Sequence, residues 1–271
     1  MKKLLMFCGC LSVTLSLAAC DNKPNTPEEV LESSIQAMEQ TNSYRTEVKI
    51  EQDIDLFPPG SKQTNELTMD YVKDPLGLHI TQNTKIDNVN KVGAQLYFAD
   101  GDVYTIDSNY EKENWWKGKD TGYHPSLDEA KEYMDLSKRL EDFQKHSEKL
   151  KLEEKEEHYI LTLTGEGDSF HELSVYFLDI SMPAFIDTDW GENLQNNGFT
   201  YTIYIDKESF HFTKSLIRAN LEMDLTDMED RLETEITIEE KISKYDELER
   251  IVIPDEVIEN ALDNKAGEKA N

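Results

Sequence analysis

Apolar and charged side chains alternate most strictly between residues 44 and 56, where Tyr44, Thr46, Val48, Ile50, Ile54 and Leu56 interleave with Arg45, Glu47, Lys49, Glu51, Asp53 and Asp55. Successive side chains of a strand point to opposite faces, so this spacing predicts a strand with one buried and one solvated face. Pro58-Pro59-Gly60 ends it in a turn. Just upstream the period is helical. Val30, Leu31, Ser34, Ile35 and Met38 share one face of a helix expected from about Pro27 to Gln40. Thr26 and Glu29 make a capping box, and Pro27 takes the first helical position. Downstream, the segments near Glu66 to Lys73, Gly77 to Ile86 and Val92 to Ala99 have strand composition. Asp100-Gly101 before Val103-Tyr104 signals a tight hairpin, and the whole reads as an antiparallel meander.

A second helical period runs from about Leu127 to Leu150, opened by Ser126 and Glu129 as a capping box. Leu127, Ala130, Tyr133, Met134, Ser137, Leu140 and Phe143 recur on its apolar face. A strand is expected at about His158 to Thr164, and a short apolar helix, with strand as the competing reading, from Phe170 to Leu178. Pro183, Trp190, Gly191 and Asn196-Asn197-Gly198 give Ser181 to Gly198 the character of a loop. Strands resume at Phe199 to Asp206, Phe210 to Leu225 and Leu232 to Ser243. In the last of these Leu232, Ile236, Ile238 and Ile242 lie opposite Glu233, Glu235, Glu239 and Lys241. Pro254 to Ala261 adds a final helical turn. The order helix, strands, helix, strands predicts an α+β fold with one large antiparallel sheet and helices on one side.

The N-terminus has a different character. Met1-Lys2-Lys3 precedes an apolar run from Leu4 to Leu17 and the small residues Ala18-Ala19 before Cys20, the layout of a cleavable export signal. The run is shorter than the roughly 20 residues a membrane-spanning helix needs. Leu17-Ala18-Ala19-Cys20 resembles the lipobox of bacterial lipoproteins. That resemblance implies a diacylglycerol on the Cys20 sulfur, cleavage before Cys20, and N-acylation of the new terminus. Two or more acyl chains, at about 0.8 kcal/mol per buried methylene, hold a protein stably at a membrane. Residues 1–19 are thus read as signal peptide, 20–26 as a lipidated tether, 27–262 as a single domain and 263–271 as a frayed tail. Cys8 and Cys10 leave with the signal. The lipidated cysteine is then the last one in the chain, and the fold rests on its core rather than on disulfides. The expected location is the extracytoplasmic face of the cell membrane.

Twenty-eight Lys and Arg stand against 56 Asp and Glu, a net charge of −28. Such a surface is repelled by nucleic acid and by anionic head groups, so a nucleic-acid function is excluded. Catalytic motifs fail on mechanism. There is no Gly-x-Ser-x-Gly, no phosphate-binding glycine loop and no paired-cysteine metal pattern. His171-Glu172 begins like a zinc-protease helix, but position 175 is Val. Asp187-x-Asp189 begins like a calcium loop, but Gly191 falls one position early and Gly198 stands where the bidentate acid belongs. His79, His124, His146, His158, His171 and His211 show no ligand spacing, and Glu222, Asp224, Asp227, Glu229 and Asp230 read as a solvated hairpin tip. No catalytic residue, metal site or cofactor is assigned, and the protein is read as a non-enzyme. Aromatic residues are numerous for so charged a chain. Phe98, Tyr104, Trp115, Trp116, Phe170, Phe199, Tyr201 and Phe212 are among the candidates to pack a core or line a ligand cavity.

Three sets of residues resemble a family of Gram-positive cell-surface lipoproteins related in fold to the LolA and LppX lipoprotein and lipid carriers. The first is Pro27-x-Glu29-Val30-Leu31 with Ser33, Ala37, Met38 and Ser43-Tyr44. The second is Tyr97-Phe98-x-Asp100-Gly101-x-Val103-Tyr104 with Trp116-Lys117, and the third is Ile253-Pro254-x-Glu256-Val257 with Ala261. The resemblance implies a strongly curved antiparallel sheet, an open half-barrel, with helices on its concave side and an acyl chain held by apolar contact. It places no catalytic residue on this chain and has no counterpart for Gly165 to Gly198. The expected function is a tethered lipoprotein that binds a lipid or other hydrophobic ligand. The alternative is an interaction or structural lipoprotein whose acidic exterior binds a protein partner or divalent cations.

Overall fold

The computed structural model describes residues 23–54, 61–87, 89–107, 114–118, 134–167, 170, 173, 194–224 and 231–263. The chain opens with α1 (Pro27–Gln40), then β1 (Ser43–Ile54), β2 (Ser61–Val72), β3 (Gly77–Ile86), β4 (Val89–Ala99) and β5 (Asp102–Asp107). It continues through β6 (Trp116–Lys117), α2 (Leu136–Gln144), β7 (Lys151–Glu154), β8 (His158–Gly165) and β9 (Leu194–Asp206). Last come β10 (Phe212–Asp224), β11 (Arg231–Ser243), α3 (Asp255–Asn260) and β12 (Leu262–Asp263). The twelve described strands form one sheet in the order β12-β6-β5-β4-β3-β2-β1-β11-β10-β9-β8-β7. Two meanders are joined where β1 pairs with β11 along ten residues, and β12 beside β6 is the parallel pair. The sheet is curved and open, a half-barrel with α1 and α2 on its concave face, as expected.

Local chemistry explains the elements. The Thr26 side chain accepts the Glu29 N–H at 3.2 Å, while the Glu29 carboxylate reaches one residue past the usual capping box to the Asn25 N–H at 2.9 Å. α1 buries Val30, Leu31, Ser34, Ile35 and Met38, the stripe read from the sequence. Asp100 and Gly101 turn the β4–β5 hairpin at φ 53° and 85°, the left-handed pair that a two-residue turn needs to match strand twist.

Two expectations need correction. The helix expected from Leu127 to Leu150 is not continuous. Asp135 has extended backbone and caps a new helix, its carboxylate accepting the N–H groups of Ser137 and Lys138, and α2 ends at Gln144 before a 3₁₀ turn at Ser147–Lys149. The Ser126 capping box and Pro58-Pro59-Gly60 lie outside the described residues, as does nearly all of Phe170 to Leu178. The expected loop from Ser181 to Gly198 is strand by Leu194. Asn196-Asn197-Gly198 forms an irregularity inside β9, where the register against β10 shifts between Asn220 and Leu221 and Asn196 Oδ1 accepts the Gly198 N–H at 2.8 Å. The short strands β6, β7 and β12 escaped notice because two to four residues carry no readable period.

The faces of the sheet differ. Even-numbered residues of β1 and β11 and odd-numbered residues of β8, of β10 and of β9 from Phe199 on point inward onto α1 and α2, and there Ile50, Leu161, Leu163, Ile203, Ile217, Ile236 and Ile238 are fully enclosed. After β11 the chain doubles back over the outer face of the β1–β5 arm. The Asp246 N–H donates to the Ser43 carbonyl at 2.8 Å, the Leu248 N–H to Ser43 Oγ at 3.1 Å, and Ile251 covers Gly77. Residues 244–263 thus form a strap under which Ser43, Val72, Ala99 and Tyr104 are buried, with Val257 of the strap packed inward.

Candidate functional site

Strand register builds the candidate site on the inner face of β2 to β5. One rung across the strands is Tyr71, Leu78, Phe98 and Val103, the next is Met69, Ile80, Leu96 and Thr105, and the third begins Leu67, Gln82 and Ala94. With strands about 4.8 Å apart and about 6.8 Å between same-face residues, the three rungs cover an area of about 14 Å by 14 Å. Leu78, Leu96 and Phe98 form a small buried cluster with Met134. Leu67, Met69, Tyr71, Ile80 and Val103 around it are only partly buried. Beyond the third rung the surface turns polar at Asn65 and Thr84.

The neighbouring half is sealed. α2 lies over β11 and β10 with Leu136, Leu140 and Phe143 in the core, and Phe143 meets the edge of Tyr201 at a centroid distance of 4.9 Å. Among these apolar groups stands an ion pair. The Arg139 guanidinium donates to both oxygens of Glu240 at 2.9 and 2.7 Å, and Ser215 Oγ donates to the same carboxylate at 2.9 Å. Glu240 is only 5 % exposed. Burial alone would raise its carboxyl, but the Arg139 charge and the hydrogen bonds from Arg139 and Ser215 outweigh it and hold the group below the ordinary carboxylate value. Arg139 also lies over the Phe212 ring, 5.6 Å from its centroid. At the border with the candidate site the Tyr44 hydroxyl donates to the Met134 carbonyl, and burial raises that phenol well above its usual range. The arrangement pins α2 to the sheet and leaves the β2–β5 arm partly uncovered.

A separate groove of about 720 Å³ crosses the outer face of β8 to β11, lined by Thr164, Thr200, Arg218, Asn220, Glu235 and Thr237. It is wide open, and the charged Arg218 and Glu235 share its lining with Phe199 and Ile236. Among the described residues no three His, Cys, Asp or Glu side chains stand together as metal ligands. No described helix is long and apolar enough to cross a membrane.

Residues 26–262 match the profile of a family of unknown function, DUF6612. The chain belongs to this family. The match runs from the N-cap of α1 to the first residue of β12, so the whole sheet, the helices and the strap are DUF6612 structure. No curated protein matches the chain. Among solved structures, LprF from Mycobacterium bovis is 11% identical over 84% of this chain and 95% of its own, with a TM-score of 0.37. A LolA superfamily protein from Nitrosomonas europaea is 9% identical over 86% and 97%, with a TM-score of 0.28. A DUF1329 family protein from Desulfovibrio piger is 10% identical over 85% and 96%, also at 0.28. Such loose superpositions bear on neither ligand nor activity, and the architecture is defined by the strand order and register above.

The residues singled out in the sequence scatter over this DUF6612 fold. Cys20, the Asp187 motif and His171-Glu172 lie outside the described residues. Of the acid cluster, Glu222 accepts from Asn197 Nδ2 at 3.2 Å, while Asp227, Glu229 and Asp230 lie outside. Phe98 is the one aromatic of the candidate set on the β2–β5 inner face. Phe170, Phe199, Tyr201 and Phe212 fill the sealed core, and Tyr97, Tyr104 and Trp115 lie towards the strap. His79 stacks on Tyr97 at 4.1 Å and His211 on Tyr245 at 4.1 Å, both half-buried, and burial lowers each imidazole from its usual value. The Arg139–Glu240 pair was missed, although a signal existed: position 240 shares the face of Ile236, Ile238 and Ile242 and carries an acid.

Proposed function

We propose that this DUF6612 protein is a lipoprotein anchored through Cys20 on the extracytoplasmic face of the cell membrane, and that it holds a lipid acyl chain or another hydrophobic ligand against the inner face of β2–β5 without covalent chemistry. The observation that carries the reading is the contrast between the two halves of one concave face. Beside a core closed by α1 and α2, Leu67, Met69, Tyr71, Ile80 and Val103 remain partly open to solvent around an apolar cluster. Covering such a surface is favourable by about 25 cal/mol per Å², so a chain laid across it binds without any polar site. Met69 and Met134 at its margins adapt to chains of different shape. The lipobox ending at Cys20 supports the placement beside a source of lipids.

The test is to express residues 21–271 without detergent and to combine native mass spectrometry with organic extraction. A co-purified lipid mass is expected, and Met69→Glu with Ile80→Glu should abolish it while leaving the fold intact. A wild-type protein that carries no lipid, and whose melting temperature is unchanged by added fatty acid or phospholipid, would refute the reading, because a ligand bound to the folded state must stabilise it. Anchoring is tested separately. Full-length protein should fractionate with membranes and carry acyl chains on Cys20, and Cys20→Ser should release it.

A further inference from the structure

Beyond the apolar rungs the inner face turns polar without becoming charged. Strand register sets Ile236, Gln52, Gln63 and Ile86 on one rung of β11, β1, β2 and β3, and Ile238, Ile50, Asn65 and Thr84 on the next. Glu240, Val48, Leu67 and Gln82 form the rung that meets the apolar surface, and there the Glu240 charge is already met by Arg139. None of the other positions carries a charge. The reverse face of the same strands holds its charges in pairs: Lys49 with Glu51 at 2.8 Å, Lys62 with Asp53 at 3.4 Å and Lys85 with Glu66 at 3.5 Å. Gln63, Gln82 and Thr84 are partly open to solvent, as Leu67 and Ile80 are. Gln52, beside Gln63, is enclosed at 1 % exposure. Its Nε2 donates to Thr234 Oγ1 at 3.2 Å, and Thr234 gives its own proton to the Asp53 carbonyl at 3.0 Å, which fixes the direction of the amide. Gln52 Oε1 is left turned away from Thr234 with no hydrogen-bond partner, an unfavourable state for an enclosed acceptor until a donor reaches it.

A wall of amides and hydroxyls selects a head group by its charge. A carboxylate or phosphate laid against it would leave water with no cation to meet it, and an ammonium would find no spare carboxylate. The net charge of −28 adds to the penalty for anions. A hydroxyl both donates and accepts, so it suits the two ends of a glutamine amide, and its proton can satisfy an acceptor such as Gln52 Oε1. We propose that Gln52, Gln63, Gln82 and Thr84 form a head-group subsite continuous with the apolar surface, and that the ligand is an amphiphile with a neutral, hydroxyl-bearing head rather than a fatty acid or a phospholipid. The inference rests on the lipid-binding reading above and gives the ligand a direction, with its chain over Met69, Ile80 and Leu96 and its head towards Gln63. A glycerol ester and a sugar share this head-group chemistry.

The probes share one acyl or alkyl chain length: monolauroylglycerol, dodecyl maltoside, methyl laurate, laurate and lauroyl lysophosphatidylglycerol. Each is titrated below its micelle concentration, with the acids ionised, into residues 21–271, which contain the whole DUF6612 match, and read by isothermal calorimetry. Monolauroylglycerol or dodecyl maltoside should bind about tenfold or more tighter than laurate and the lysophospholipid, roughly what one net hydrogen bond supplies. The tighter of the two names glycerol or sugar as the head. Methyl laurate, neutral but without a hydroxyl, should also bind about tenfold more weakly than monolauroylglycerol, a comparison that needs no variant. Gln63→Leu with Gln82→Leu should remove the preference, weakening the hydroxylated probes while laurate binds as before or tighter, with the melting curve unchanged. Equal affinity for all heads, tighter binding of an anion, or a double variant that weakens laurate as much as monolauroylglycerol would overturn the subsite and leave the lipid reading standing. Binding of no probe would remove that reading and the subsite with it.

Discussion

Truncating Arg139 tests the account of how α2 is held. Arg139→Ala strips Glu240 of the guanidinium that contacts both its oxygens and leaves the Ser215 hydroxyl as a neutral donor. A carboxylate this enclosed does not stay ionised alone; it takes up a proton. Protonating a carboxyl of ordinary pKa about 4.3 at pH 7 costs about 1.4 kcal/mol per pH unit, or about 3.5 kcal/mol. That caps the charge contribution and agrees with the roughly 3–5 kcal/mol seen when a buried pair loses one member. The sign with pH follows. In the wild type the Glu240 pKa is depressed, so its contribution is present above the ordinary carboxyl value and is lost as pH falls towards the folded value. In Arg139→Ala the folded state carries an extra proton above pH about 4.3, so that protein loses about 1.4 kcal/mol per unit as pH rises. The gap between the two proteins should therefore be about 3.5 kcal/mol at pH 7 and under about 2 kcal/mol at pH 5. Urea unfolding followed by tryptophan fluorescence measures it. Arg139→Met with Glu240→Leu should recover most of the loss, since apolar replacement of a buried pair is often neutral. A gap independent of pH, or a double variant as unstable as the single one, would refute the reasoning.

Other outcomes are fixed by single contacts. A Cβ added at Gly77 would stand 2.8 Å from Ile251 Cγ1, so Gly77→Ala should cost about 1–3 kcal/mol and expose the strap to protease, read by urea titration and limited proteolysis. Thr26→Ala removes the N-cap acceptor of α1 and should cost about 1 kcal/mol in the same titration. Burial keeps His79 and His211 neutral, so their NMR titration midpoints should lie below 6.5. Unfolded imidazoles bind protons first, so stability should fall as pH drops from about 6.5 towards those midpoints. Midpoints at or above 6.5 would contradict the buried stacks.

Periodicity carried most of the fold. Residues 44 to 54 alternate apolar with charged because one face of β1 meets α1, and 232 to 242 alternate because β11 lies beside it, so each strand showed its own orientation. α1 was readable for the same reason, with its cap supplied by Thr26. Elements shorter than one period could not be found this way, and neither could the break at Asp135, where a side-chain cap interrupts an apolar pattern that itself continues from Met134 to Leu136. The candidate surface was hidden differently. Met69, Ile80 and Leu96 lie in three strands, and only the register places them on one rung. Gly198, read as part of a loop, has φ 138° inside β9, a requirement of backbone path that composition alone does not reveal.

The strap explains how half of the concave face can stay partly open. A sheet normally gains its stability from an inner face that is fully covered, and the β2–β5 arm lacks that cover over Leu67, Met69, Tyr71 and Ile80. Its support comes from behind. Val72, Ala99 and Tyr104 point to the outer face and are buried under residues 244–263, and Arg45 donates to both Asp70 oxygens at 2.6 Å across the β1–β2 pair. The partly exposed pair of Arg45 and Asp70 adds little by itself, whereas the enclosed apolar groups contribute about 1.5–3 kcal/mol each at full burial. Burial thus moved to the outer side holds the arm rigid while its inner surface remains available. If this is correct, loosening the strap through Gly77→Ala should weaken lipid retention as well as stability, although residue 77 faces away from the candidate surface. Polar substitutions at Val252 and Ile258, whose side chains point outward from the strap, should leave retention unchanged.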